Sequence, residues 1–167
     1  VEDYDDTHPP TIIHPGPPVV AAALSAAMST GASGTDLLTA VAAGAEVALR
    51  VGLALMPSAL DRGWHMTGIT CGVGAAVAAG RLFGLDAVKL RSAVGLAATQ
   101  AAGLIEALGT MAKPLHPGKA AACGFEAALL AAHGLDGPAA PIEGRRGLLA
   151  LHAGSVDGAE AASDGLG

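Results

Sequence analysis

A chain of 167 residues with a net charge of −6 has no basic face of the kind that phosphate recognition demands, which argues against nucleic acid as a partner. Two cysteines, Cys71 and Cys123, are too few for a disulfide framework or for an iron–sulfur cluster, which usually takes about three or four thiolates. The hydrophobic share is 51% but the aromatic share only 2%, so the length suits one domain whose core is Ala, Leu and Val rather than large rings.

Residues 1–18 carry five prolines and four acids and are expected to lie outside regular helix. The first helix is predicted from Val19 to Met28, broken by the following STGASG. Thr35 is a suitable N-cap for a second helix from Asp36 to Leu55, with Asp36 placed favourably against the helix dipole. Pro57 to Gly63 reads as a loop. A Gly-rich helix is predicted from Met66 to Phe83, with Gly84 past its end as a left-handed cap. Asp86 caps a longer helix predicted to reach Leu108. The segment GTMAKPLHPG reads as a loop, and the last predicted helix spans Lys119 to Ala132. Residues 1–154 are read as one helical domain and 155–167 as a loose tail.

No stretch alternates polar and apolar residues as a half-buried strand does, so the fold class is all-α, a helical bundle. Several Ala- and Gly-rich helices are apolar on nearly every side and belong in a core or an interface. The mean hydropathy of +0.50 raises the question of a membrane. The uncharged, Gly-rich run Gly63 to Gly80 contains His65 and five glycines, which is poor material for a span of about 20 apolar residues. No membrane is expected. The acidic opening VEDYDD is unlike the basic start of a secretory signal, and reduced cysteines fit a cytoplasmic protein.

Three constellations have the means for chemistry. In DYDDTH, residues 3–8, three carboxylates crowd within four positions, and HPG follows at 14–16. Acids with displaced pKa values beside histidines suit acid–base work. The same residues also read as a solvated acidic tail, or as a weak divalent-metal site from Asp3, Asp5, Asp6 with His8 or His14. In RGWH, Arg62 and His65 flank Trp64 at a loop-to-helix junction, where free helix amides favour an anion. An ordinary buried histidine is the plainer alternative there. In AKPLHPGKAA, Lys113, His116 and Lys119 are expected to crowd one loop beside a helix N-terminus, with Pro114 holding Lys113 extended. GVGAAV at 72–77 begins like a dinucleotide fingerprint, but no strand precedes it and its third glycine is missing, so helix packing accounts for it better.

Taken together, DYDDTH…HPG, GASGTDLLTAVAAGAEVALRVG, RGWH and AKPLHPGKAA resemble the MmgE/PrpD family, in order from Asp3 to Gly154. That family includes 2-methylcitrate dehydratases, cis-aconitate decarboxylases and iminodisuccinate epimerases. The resemblance implies an all-helical domain that normally pairs with a separate lid domain, absent here, and a homodimer. It implies a lyase, metal- and cofactor-independent, acting on a small di- or tricarboxylic acid by proton abstraction next to a carboxylate. The family's active-site acid falls on Asp3, its histidines on His14 and His65, and its lysine on Lys113. Arg62, His116 and Lys119 are added as substrate-binding candidates. Family members are longer, so the chain reads as a piece of such an enzyme that by itself does not complete the reaction. The alternative is a truncated relative that serves as a binding or structural module.

Overall fold

The computed structural model describes residues 4–164, which form eight α-helices and no strand. Helix α1, Gly16–Thr30, starts three residues earlier than expected. Pro17 and Pro18 lie in its first turn, where a missing N–H costs nothing and the fixed φ suits a helix. It ends at Gly31, whose φ of +69° lets its N–H reach the Ala27 carbonyl. Helix α2, Gly34–Leu55, is capped by Ser33 and not by Thr35. The Ser33 hydroxyl accepts from the Asp36 N–H at 3.2 Å, and the Asp36 carboxylate accepts from the Ser33 N–H at 3.2 Å, a reciprocal capping box. The Ser33 hydroxyl also donates to the Asp36 carboxylate at 2.6 Å, and this bond, with that from the Ser33 N–H, holds the Asp36 carboxyl below the usual carboxylate range. A single turn, α3 (Ser58–Asp61), interrupts what was expected to be loop.

Helix α4, Met66–Leu82, is the axle of the bundle. Every residue from Met66 to Gly80 is buried, and α1, α2, α5 (Ala87–Ala98) and α6 (Leu115–Ala132) pack around it. The Gly-rich run that raised the membrane question is therefore enclosed by protein. Its glycines serve close approach: a Cβ on Gly74 would strike the Gly44 carbonyl of α2, and one on Gly124 of α6 would strike the Gly72 carbonyl and the Ala76 amide of α4. Such contacts let an Ala core reach dense packing without large side chains.

Two helix ends differ from expectation. Helix α5 is capped by the Asp86 side chain as foreseen, but stops at Ala98 instead of Leu108. Residues 101–104 run irregularly beneath α4, with the Gly103 carbonyl accepting from the His65 N–H at 3.0 Å and Trp64 bridged to Leu104. Gly103 stands at φ +150°, a conformation that the helical pattern did not anticipate. Helix α6 begins at Leu115, four residues before the expected Lys119. Pro114 is its N-cap and Pro117 falls in the first turn, so neither ring breaks a hydrogen bond. Beyond α6, α7 (Leu148–His152) buries Leu148 and Leu149. The tail expected to be loose holds one helical turn, α8 (Ala159–Ser163), with Ala159 and Ala162 packed on the core near α2.

Candidate active site

The first turns of α1, α4 and α6 meet at one end of the bundle. Between them lies a cleft of about 260 Å³, lined by Asp5, His14, His65, Thr67 and Lys113 among others. His14 stands two residues before α1, His65 is the N-cap of α4, and Lys113 precedes the N-cap of α6. Residues separated by 99 positions thus converge because each sits at the same end of its helix. The partial positive charge at the starts of α4 and α6 adds to Lys113, so the cleft favours an anion, while the start of α1 is already capped by Asp6.

His14 is held on two sides. Its backbone N–H donates to the Thr67 hydroxyl at 3.1 Å, tying the loop to the first turn of α4. Its ring Nδ1 lies 2.8 Å from the Asp6 carbonyl, 3.1 Å from the Thr7 hydroxyl and 3.5 Å from the Asp5 carboxylate. A carbonyl can only accept, so Nδ1 carries a proton, and in the neutral ring Nε2 is then the base. Asp6 itself is engaged elsewhere, since both its carboxylate oxygens accept from the Gly16 N–H at the start of α1. The His8 ring pairs with the Thr11 hydroxyl at 2.8 Å. The acidic segment is thus a scaffold for His14 and for the α1 terminus. Among the described residues no three His, Cys, Asp or Glu side chains group as for a metal ion.

His65 is only 4% exposed. Its pKa is lowered from 6.5 to about 4, first by burial and then by the nearby His116, Lys113 and His14. It therefore stands neutral at pH 7. Its Nδ1 lies 2.7 Å from Nδ1 of His116, with the rings tilted by 42°. Cys71, buried in the middle of α4, has its thiol pushed up to about 12 by burial, which leaves it inert as a nucleophile.

Of the seven residues expected from sequence, the structure gathers His14, His65 and Lys113 in the cleft. Asp3 lies outside the described residues. His116 stands behind His65 and lines a second cavity instead. Lys119 lines that second cavity too, because α6 begins at Leu115 and places His116 and Lys119 three apart on one helical face. They do not share a loop with Lys113. Arg62 is exposed, and its guanidinium lies against Gly154, away from the cleft. Gly63, at φ +90°, turns the chain between Arg62 and His65, which separates two residues that adjacency in RGWH had grouped. Two lining residues were missed. Asp5 lay unselected within the acidic cluster, and the two-residue spacing of Thr67 from His65 in the first turn of a helix was the available signal for that hydroxyl.

Known proteins resemble this chain over most of its length. The family model described as the MmgE/PrpD N-terminal domain matches residues 1–160. A human protein named cis-aconitate decarboxylase is 36% identical over 157 residues, covering 90% of this chain and 32% of its own length. The mouse protein of the same name is 39% identical over 142 residues, covering 81% of this chain and 28% of its own. That of Aspergillus terreus is 33% identical over 141 residues, covering 80% and 29%. The chain thus spans about a third of the length of the curated relatives it matches.

Proposed function

Because the chain belongs to the MmgE/PrpD family, we propose that its cleft is part of the active site of a lyase acting on a small di- or tricarboxylic acid. The single observation that carries this reading is the convergence of His14, His65 and Lys113 from three helix N-termini. A polycarboxylate placed there meets a lysine and the positive ends of helices, while two imidazoles stand ready for proton transfer. The chemistry proposed is transfer of a proton at a carbon next to a carboxylate. Charge developing on that carboxylate is stabilised by Lys113 and the helix ends. His14, with Nδ1 fixed by the Asp6 carbonyl, presents Nε2 as base. His65, kept neutral, acts as a hydrogen-bonding and proton-exchanging partner without adding a charge to the site.

The names of the relatives support decarboxylation of cis-aconitate as the first reaction to assay, and dehydration of 2-methylcitrate as the second. We further propose that the protein works without a metal, in the cytoplasm, as a homodimer. Free, buried Cys71 and Cys123 suit a reducing compartment, and large exposed side chains such as Met28, Leu38 and Val88 offer apolar surface for association. Calorimetry with cis-aconitate tests binding on this chain, and proton NMR of the mixture follows product formation. In a full-length version that carries the rest of the family's chain, replacing Lys113 by Ala is expected to lower turnover at least about tenfold, equivalent to about 1.4 kcal/mol of barrier. Unchanged kinetics would remove Lys113 from the mechanism. Binding without turnover in that full-length version would make the protein a binding module instead.

A further inference from the structure

The two cavities are separated by the histidine pair. His65 lines the cleft and not the second cavity, and His116 lines the second cavity and not the cleft. The second cavity, about 300 Å³, is bordered by Gln100, Lys119 and Cys123, with the Gly103 backbone beside the His116 ring. We propose, resting on the reading above, that His65 and His116 share one proton between their Nδ1 atoms and relay protons from the reaction cleft to the second cavity.

The geometry constrains the protons closely. At 2.7 Å only one N–H fits between the two Nδ1 atoms, so one ring donates and the other accepts. The pair therefore carries a charge of zero or +1 and never +2. In the working state His65 donates through Nδ1–H, its Nε2 is bare, and His116 holds its other proton on Nε2. A proton taken from substrate binds His65 Nε2 as the shared proton crosses to His116 Nδ1. His65 ends neutral, and His116 becomes the imidazolium that releases its Nε2 proton into the second cavity. Each bond formed is matched by one broken, and no oxidant or co-reactant is needed.

The relay answers a difficulty in the site. A proton retained on His65 would leave a buried cation facing Lys113 and His14 as well as His116. Passing the charge to His116, which is only partly buried, removes it from that cluster. His65 is thereby able to act as a base although its own charged form is disfavoured. Gly103 stands beside both residues: its carbonyl accepts from the His65 backbone N–H, and a Cβ there would come within 3.4 Å of His116 Nδ1, so glycine leaves that ring its place. His116 is on this account a positioning and relaying residue, while His65 touches substrate.

Histidine-selective ¹⁵N labelling of the chain and long-range correlation near pH 7 test the shared proton without any turnover. The expected spectrum has one ring protonated at Nδ1 and its partner at Nε2, with one strongly deshielded proton between them. Two rings both protonated only at Nε2, or both fully protonated, would overturn the proposal. His116→Asn then tests the relay, since an amide can still hydrogen-bond His65 but cannot carry a proton onward. Its expected signature with 2-methylcitrate, whose dehydration starts with removal of a proton beside a carboxylate, is a kcat at least about tenfold lower, a KM within about twofold of wild type, and recovery of rate on adding imidazole as a diffusible proton carrier. An unchanged kcat, or a loss that imidazole does not restore, refutes the relay and leaves the lyase reading intact. These rates are read in a full-length version that carries the rest of the family's chain; if that version turns over no polycarboxylate, the lyase reading and the relay both fall, while the tautomers still report whether the proton is shared.

Discussion

Burial of His65 makes the folding stability of this protein depend on pH in a calculable way. The ring's pKa falls from 6.5 in the unfolded chain to about 4 in the fold, so between those values the unfolded state binds more protons than the native state. Stability therefore rises with pH across that window, is fully present above about 6.5, and is lost as pH falls towards 4. A displacement of about 2.5 units has an upper limit of about 3.4 kcal/mol. Part of it is screened by solvent in the open cleft, which leaves about 2 kcal/mol. Guanidinium unfolding of wild type and His65→Asn between about pH 7.5 and 4.5 measures it. The wild type is expected to lose about 2 kcal/mol more than the variant on acidification. Parallel stability curves for the two proteins would show that His65 is protonated as readily in the fold as outside it. The neutral-imidazole role in the cleft would go with it.

Other substitutions probe the frame and the limits of the site. Gly74→Ala drives a methyl group into the Gly44 carbonyl and is expected to cost about 2 kcal/mol in denaturant unfolding, an overpacking penalty that no flexible side chain relieves. Ser33→Ala removes the capping box of α2 and is expected to cost about 1 kcal/mol by the same measurement. Arg62→Ala is expected to leave cis-aconitate affinity within about twofold by calorimetry, because the guanidinium faces Gly154. A larger loss would return Arg62 to the binding site.

Much of this architecture was legible from residues whose meaning is local. Ala-rich runs gave the helices, Asp86 gave a cap, and Gly84 at φ +69° gave a terminus. The two large errors arose where a distant contact decided the matter. From Gly95 to Leu108 the pattern remains compatible with helix, yet the Gly103 carbonyl is claimed by the His65 N–H, so α5 stops at Ala98. The prolines of KPLHPG read as breakers, although at an N-cap and in a first turn they are compatible with helix, so the start of α6 was expected too late and Lys119 was grouped with Lys113 in one loop. The site followed the same division. His14, His65 and Lys113 were visible because each lies in a short motif, HPG, RGWH or KPLHPG, that carries the family resemblance. The pairing of His65 with His116 across 51 positions has no sequence signal at all, since it depends on how α4 and α6 approach each other.

That approach links the small-residue core to the chemistry. Helix α6 rests on α4 through Gly124, whose missing side chain lets the Gly72 carbonyl and the Ala76 amide come close. The same two helices carry His116 and His65 at their starts, so the spacing at Gly124 and the 2.7 Å between the imidazoles belong to one rigid contact. A core of larger residues would hold the helices farther apart, and a hydrogen bond of this length does not survive a separation of even about one ångström. Lys113, carried just ahead of α6, would move with it away from His65. The scarcity of aromatic residues is thus a condition of the site as well as of the packing. In this bundle alanine and glycine set the distance at which protons can pass.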